Sequence, residues 1–244
     1  YTWTDLINPT REELEKIAEQ HGLHYTSLQD CLEPQHLPKY ERIGRVTFII
    51  TRAYDESCKL DSDTVQELTR KVAIFIGDHF LISIHRIDQP YIAALREKWH
   101  DQTQNKQKTS APILWDLLRA TAISYEKPLE SAMLAVEQLE TALFVEEKMQ
   151  QRTIRDLYLL KRKASVFKRM LRMTIEILNQ FDHFSAEDAP LFTDVKDTAQ
   201  RMFFYGEELH EHAASLLNHF ISLSSYRTNE IMRVFTILAF ISFI

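Results

Sequence analysis

Glycine is scarce in this sequence, and the shortage excludes a common type of binding site. The 244 residues include only Gly22, Gly44, Gly77 and Gly206, whereas average usage of about 7% would give roughly 17. Loops that cradle phosphate groups need clustered glycines, because backbone amides must approach the anion closely. The four glycines form no such cluster, so the common nucleotide-binding loops are excluded.

Cysteine and excess positive charge are also lacking. The two cysteines, Cys31 and Cys58, have neither metal-binding nor redox spacing, so we expect unreactive thiols in a reducing compartment. Lys and Arg number 29 against 35 Asp and Glu, which gives a net charge of −6. Because no basic excess is present to neutralise phosphates, we expect no nucleic-acid partner.

The first part of the chain alternates short strands and short helices. Thr10 and Glu13 form a capping box that should begin a helix ending near Gly22. Residues 39–55 read as two strands joined near Gly44, and residues 70–86 read as a hairpin that turns at Gly77-Asp78. We therefore predict an α/β domain over residues 1–105, with a mixed or antiparallel sheet and flanking helices.

Strand patterns are absent after about residue 90. Residues 91–100 favour a helix, and residues 101–110 form a polar connector. From Ala111 to about Phe181 the periodicity predicts two long helices with a break near 147–152. We interpret residues 106–186 as a long antiparallel helical hairpin.

The last segment, residues 187–244, predicts one very long stalk helix. It has no proline after Pro190, and its only glycine is Gly206. Apolar residues recur at alternating spacings of three and four, with Gly206 in the one missing slot, which indicates packing against other helices. This seam consists of Phe192, Val195, Ala199, Met202, Leu209, Ala213, Leu216, Phe220 and Leu223.

The opposite face of this helix is polar but almost uncharged. It carries Glu211, Ser215, Asn218, Ser222, Ser225 and Asn229. A solvated face is one interpretation, and a narrow wet space shared by several helices is the other. The same stripe continues, now apolar, into the final residues TNEIMRVFTILAFISFI (228–244).

The final apolar run has two interpretations. From Val234 to Ile244 it has eleven residues, about half of the ~20 that cross a bilayer. It is either a core helix or a membrane helix cut short. Arg227 and Arg233 precede the run, as expected if its N-terminal side is cytoplasmic.

Four segments in register resemble the CorA family of divalent-cation channels. Asn229 and Met232, with a following Thr236, resemble that family's first membrane helix. The other three segments are WTDLINPTREEL (3–14), LQDCLEPQHLPKYER (28–42) and IFIGDHFLISIH (74–85). The resemblance implies a homopentamer in the inner or plasma membrane of a prokaryote, with this portion on the cytoplasmic side. It also implies a longer protein, with the Gly-Met-Asn signature beyond Ile244.

The resemblance also implies site residues. The pore axis would be lined by Asn229, Met232, Phe235, Ala239 and Phe243. A regulatory divalent ion would be held by Glu211 of one subunit and a carboxylate of its neighbour. That second position falls on Ala93, which cannot be a ligand, so Asp88 or Glu97 would replace it; otherwise Glu211 is simply solvated.

The transported and regulatory ion is expected to be Mg²⁺ or another divalent cation such as Co²⁺, Ni²⁺ or Zn²⁺, with no organic cofactor. His210, His212 and His219 keep a zinc-handling branch of the family open, because imidazole suits Zn²⁺ better than Mg²⁺. The acidic residues Glu137, Glu140, Glu146 and Glu147 would attract cations or simply keep their helix soluble.

Two other classes of protein compete with this interpretation. A helical scaffold that oligomerises through the seam and docks on membranes would conduct no ions. A metal-dependent hydrolase is disfavoured, because residues 210–212 lack the i, i+4 histidine pair of a zinc protease. No nucleophile and base are paired either, so we expect a protein that is not an enzyme.

Overall fold

The N-terminal part of the chain builds a five-stranded sheet, as the alternating short elements predict. The computed structural model describes residues 2–102, 110–145, 151–181 and 188–242. The spatial order of the strands is β1-β5-β4-β3-β2. The strands are β1 (Thr2–Ile7), β2 (Lys39–Ile43), β3 (Val46–Tyr54), β4 (Thr69–Ile76) and β5 (Phe80–His85).

Tight turns explain why most of this sheet is antiparallel. β2 and β3 meet at Gly44, whose φ of 62° is the left-handed conformation that glycine adopts without strain. β4 and β5 pair across the turn that contains Gly77 and Asp78. β1 instead pairs with β5 in parallel, with Thr2 opposite Phe80. The sheet is therefore mixed, and the predicted fold class is confirmed.

Three helices accompany the strands: α1 (Arg11–His21), α2 (Tyr25–Leu32) and α3 (Val65–Leu68). The predicted capping box is present, because Thr10 accepts the N–H of Glu13 and Glu13 accepts the N–H of Thr10. Gly22 ends α1 in the left-handed conformation, with φ 64°. Apolar residues of α1 and α2 pack on one face of the sheet with Phe48, Ile50 and Phe75.

The other face of the sheet packs against the remaining helices, where Ile49, Val72 and Ile74 join the larger core. These helices are α4 (Pro90–Gln102), α5 (Ala111–Ile123), α6 (Glu126–Val145), α7 (Gln151–Leu178) and α8 (Ala189–Ser242). The sheet thus lies between α1 and α2 on one side and a helical layer on the other. The three interior strands, β3, β4 and β5, are buried on two faces.

The prediction of two helices between residues 111 and 181 is wrong, because the described residues form three. The extra break falls at Ser124, whose hydroxyl accepts the N–H of Tyr54 at 2.8 Å and donates to the carbonyl of Thr121 at 2.7 Å. The hydroxyl of Tyr125 donates to the carbonyl of Arg52 at 2.7 Å. The break between α5 and α6 therefore coincides with two hydrogen bonds to strand β3.

Other predicted boundaries fall partly outside the described residues. Asp101 and Gln102 belong to α4 rather than to the polar connector, of which residues 103–109 are not described. Of the break predicted near 147–152, residues 147–150 lie outside the described residues, whereas residues 151 and 152 belong to α7. The division into segments 1–105, 106–186 and 187–244 stays a prediction.

Candidate ion-pathway helix and carboxylate sites

Helix α8 is a single rod of 54 residues, about 80 Å long at ~1.5 Å per residue. Its first half packs against α7, α5 and α6 of the same chain. The seam residues Val195, Ala199, Met202, Leu209 and Ala213 are almost fully buried there. The predicted seam is therefore used within the chain up to Leu216.

Gly206 occupies the slot that the seam leaves without a side chain. A Cβ built at this position would lie 3.4 Å from the backbone nitrogen of Lys168 in α7. The two helix backbones thus approach closely at this level, because glycine carries no side chain to hold them apart.

The second half of α8 has a different environment. Phe220 is half-buried, and residues 221–226 and 228–242 are exposed. Exposure is shared by all sides of the helix, since Ile231, Val234 and Ile237 are as open as Met232 and Phe235. Each such side chain forgoes about 1.5–3 kcal/mol of burial free energy in an isolated chain. The end of α8 therefore presents an exposed apolar surface.

Among the described residues, none of the helices combines the length and the apolarity that crossing a bilayer requires.

The structure places the predicted pore residues on one face of the exposed part of α8. Asn229, Met232, Phe235 and Ala239 are separated by three, three and four residues, which keeps them on one side of a helix. All four are exposed, with Met232 at 61% and Phe235 at 64%. Phe243 lies outside the described residues.

Asp88 lies in the connection between β5 and α4 as an exposed side chain, and Arg96 links it to a buried charge network. One nitrogen of Arg96 is 2.7 Å from a carboxylate oxygen of Asp88, and the other is 2.7 Å from one of Asp5. Asp5 also accepts a hydrogen bond from the hydroxyl of Ser83, and its carboxylate lies 3.1 Å from His85 Nε2. Asp88 is thus already neutralised by Arg96 within the chain.

The network shifts the pKa values of its two buried members in opposite directions. Burial by itself raises the pKa of Asp5, but hydrogen bonds from His85 and Ser83, with the charges of His85 and Arg96, outweigh it and lower that pKa. Burial likewise opposes protonation of His85, but its hydrogen bond to Asp5 and the charge of Asp5 raise the pKa of His85. Asp5 and His85 therefore favour each other's charged forms.

Glu211 projects from α8 as an exposed side chain. Its helix packs against α5, α6 and α7, whereas Asp88 lies beside the sheet. The described chain shows one group of three side chains with metal-ligating atoms within 4.8 Å of one another, and neither Glu211 nor Asp88 belongs to it.

That group consists of Asp30, Glu33 and His36, and its charges are already paired. His36 Nε2 lies 2.8 Å from one carboxylate oxygen of Asp30, and Lys39 binds the other oxygen. The contact between His36 Nε2 and a carboxylate oxygen of Glu33 is longer, at 3.9 Å. Because the lysine and the histidine already use the carboxylate of Asp30, we assign the cluster to local ion pairing.

The histidines of α8 do not form a metal site in the described part of the chain. His212 Nε2 lies 3.2 Å from a carboxylate oxygen of Glu140 in α6, so part of the predicted acidic face does meet a histidine. Glu137 is exposed, and Glu146 and Glu147 lie outside the described residues. Burial, with the charges of Lys168 and Lys161, lowers the pKa of His210.

Cys31 fits the predicted unreactive role, because it is free and burial raises the pKa of its thiol to about 12. Cys58 is also free, with its sulfur 3.2 Å from the hydroxyl of Tyr54.

The sequence did not predict the charge network of Asp5. It also did not predict a pocket lined by Arg52, Arg70, Lys71 and Arg86. Asp5 is 78 positions from Ser83 and 91 positions from Arg96, and no local motif joins them. The available signal for the pocket is the placement of these cations near the ends of β3, β4 and β5.

The combination of this sheet with a long exposed helix occurs in known metal-ion transporters. The complete structure of the CorA magnesium transporter from Methanocaldococcus jannaschii superposes with a TM-score of 0.77 at 21% identity, covering 96% of this chain and 73% of that one. The ZntB cytoplasmic domain from Vibrio parahaemolyticus has a TM-score of 0.67 at 11% identity, covering 92% and 88%. At these identities the likeness shows the fold alone.

Sequence comparison shows the family. The model of the CorA-like Mg²⁺ transporter protein family matches residues 1–244, and the chain belongs to this family. The cobalt/magnesium transport protein CorA of Thermotoga maritima is 24% identical over 247 residues, which cover 98% of this chain and 68% of that protein. The resemblance to divalent-cation transporters inferred from the four motifs is therefore confirmed.

Proposed function

We propose that this chain is the cytoplasmic portion and pore mouth of a homopentameric divalent-cation channel in a prokaryotic inner or plasma membrane. The proposal rests on the different environments of the two halves of α8. Its first half is held by helices of the same chain, whereas its last turns expose apolar side chains on every side. A bilayer and further copies of the same helix would cover such a surface.

The proposed pore face has two chemical parts. Mg²⁺ is costly to dehydrate, so Asn229 would contact it through retained waters. Rings of Met232 and Phe235 would form an apolar constriction that closes by dewetting. Ala239 and Phe243 would continue this face into the membrane.

We also propose a regulatory ion that binds between subunits. Glu211 of one subunit and Asp88 of its neighbour would bind a cytoplasmic divalent cation that holds the closed state. Glu211 is exposed, so its carboxylate is accessible to an ion. At Asp88 the ion would have to displace Arg96, which binds the carboxylate at 2.7 Å, so we expect weak affinity at this position.

Titration calorimetry of the purified chain with MgCl₂ and CoCl₂ tests the regulatory site. Saturable binding should be lost in Glu211→Gln and retained in Glu208→Gln, a matched exposed carboxylate on the same helix. Equal binding in the two variants would mean that Glu211 is not part of the site.

Oligomeric state has its own test. Native mass spectrometry in detergent should give a species of five times the 28.8 kDa chain mass. A monomer under all detergent conditions would contradict the pentamer.

Ion uptake by the full-length protein in liposomes tests the function as a whole. Uptake of Mg²⁺ should exceed that of empty liposomes, and parallel assays with Co²⁺, Ni²⁺ and Zn²⁺ identify the preferred ion. Preference for Zn²⁺ would move the protein to the zinc-handling branch. Absence of uptake for all four ions would favour a non-conducting scaffold.

A further inference from the structure

A basic pocket lies at the end of the sheet, away from α8. Its volume is about 480 Å³, and it opens between the C-terminal end of α2 and the ends of β3, β4 and β5. Among the described residues, fifteen line the pocket and none is Asp or Glu. Four of the fifteen are Arg52, Arg70, Lys71 and Arg86.

Strand register explains why these cations come together. Arg52 of β3 lies directly opposite Lys71 of β4, and Val72 lies opposite His85, one residue before Arg86. Like charges directly opposite each other in a sheet repel. Negative charge nearby would therefore stabilise this arrangement.

The compensation that the described chain provides is partial, because the acceptors are uncharged. Lys71 Nζ donates to the carbonyls of Asp30 and Cys31 at 2.6 and 2.8 Å, and to that of Glu33. Arg52 donates to the carbonyls of Pro34 and His36 at 3.0 and 2.9 Å. The carbonyls at the end of α2 carry only the partial charge of a helix C-terminus.

No carboxylate in the described part of the chain pairs with Arg52, Lys71 or Arg86. Arg70 is the exception, since it lies 2.5 Å from Asp55, yet its Nε is buried without a hydrogen-bond partner. Burial, with the charges of Arg52 and Arg86, lowers the pKa of Lys71 to about 8. Three positive charges therefore remain without a counter-charge around one cavity.

We propose that this pocket binds a small organic phosphate. Arg86 would contact the phosphate directly, because its single hydrogen bond within the described chain, to the carbonyl of Leu32 at 2.7 Å, leaves other guanidinium donors free. The pocket is larger than one phosphate, and Leu14, Leu32 and Ile84 provide apolar walls for the organic part. This site is independent of the pore residues.

Titration calorimetry of the purified chain at constant ionic strength tests the pocket, with glycerol 3-phosphate as the probe and glycerol as its uncharged counterpart. Glycerol 3-phosphate should bind saturably and glycerol should not. Arg86→Gln should weaken binding by about tenfold or more, because a hydrogen bond to a charged group is worth at least that factor. Arg42→Gln removes an exposed arginine on β2 outside the pocket and should leave binding unchanged.

Two further arms complete the experiment. The dihexanoyl ester of glycerol 3-phosphate distinguishes the source of the phosphate, since tighter binding of the ester with the same Arg86 dependence indicates a lipid headgroup. Tighter binding of the free compound indicates a soluble metabolite. Circular dichroism of each variant shows whether the fold is retained. No saturable binding, or equal loss in Arg86→Gln and Arg42→Gln, would overturn the proposal.

Discussion

Gly206 of α8 lies against the backbone of Lys168 in α7, so closely that an added Cβ would stand 3.4 Å from the Lys168 nitrogen. This contact sits in the middle of the packed half of α8, between the buried residues Met202 and Leu209. It allows the two helix backbones to approach closely in the packed half of α8.

Substitutions at Gly206 should therefore separate the effect of helix propensity from the effect of packing between α7 and α8. Gly206→Ala adds a methyl group at an ordinary contact distance and should be neutral or stabilise the protein by up to about 1 kcal/mol through helix propensity. Gly206→Leu should destabilise it by about 1–3 kcal/mol, because overpacking forces α7 and α8 apart. Urea denaturation followed by circular dichroism measures both. A fully stable leucine variant would mean that the helices are not closely packed here.

Tyr125 joins the helical layer to the sheet through its hydrogen bond to the carbonyl of Arg52. Both residues are almost fully buried, so Tyr125→Phe leaves an acceptor without its partner and should cost about 1–2 kcal/mol. Tyr158→Phe, at a 48% exposed position of α7, is the matched control and should change stability by less than about 0.5 kcal/mol. Equal effects of the two variants in thermal denaturation would refute a structural role for the hydrogen bond.

Local sequence signals predict the local structure well. Thr10, Glu13 and Gly22 bound α1 because caps act within one helical turn. Turn glycines likewise place the two antiparallel hairpins. The length of α8 follows from the lack of glycine and proline across residues 191–242, apart from Gly206. A second capping box at the start of α3, formed by Thr64 and Glu67, follows the same local pattern and was not predicted.

Contacts between distant residues account for what the sequence did not predict. The break at Ser124 depends on Tyr54, 70 positions away, and hydrophobic periodicity carries no sign of it. The parallel pairing of β1 with β5 joins strands from opposite ends of the domain. The ion pair of Asp88 with Arg96 was also unforeseen, and it changes the chemistry expected of Asp88.

The buried pair of Asp5 and His85 should make stability depend on pH. The pKa of Asp5 is lowered from 3.8, so its contribution is present above that pH and is lost as pH falls through the folded-state value. The pKa of His85 is raised from 6.5, so its contribution is full below pH 6.5 and is lost as pH rises through the folded-state value. The pair therefore stabilises most between about pH 4 and 6.5.

His85→Gln tests this window. The variant should lose about 3 kcal/mol near pH 5.5 and less at pH 9, because it leaves the Asp5 carboxylate buried with one partner fewer. Glu15→Gln removes the exposed ion pair with Arg11 and should change stability little at any pH. Denaturation curves at several pH values provide the comparison, and a loss that is constant from pH 5 to 9 would contradict the coupling.

In the proposed channel, one face of the exposed part of α8 lines the ion pathway. Met232→Ser and Phe235→Ser, combined in the full-length protein, would replace the proposed apolar constriction by hydroxyl groups that hold water. Val234→Ser and Ile237→Ser form the matched control, since these residues lie on the opposite side of the same helix and are similarly exposed.

The decisive measurement is Mg²⁺ flux into liposomes for these two double variants. The flux of the Met232 and Phe235 variant should exceed that of the unsubstituted protein, and the flux of the Val234 and Ile237 variant should be unchanged or lower. An unchanged flux for the first variant, or an equal increase for both, would mean that this face of α8 does not line an ion pathway.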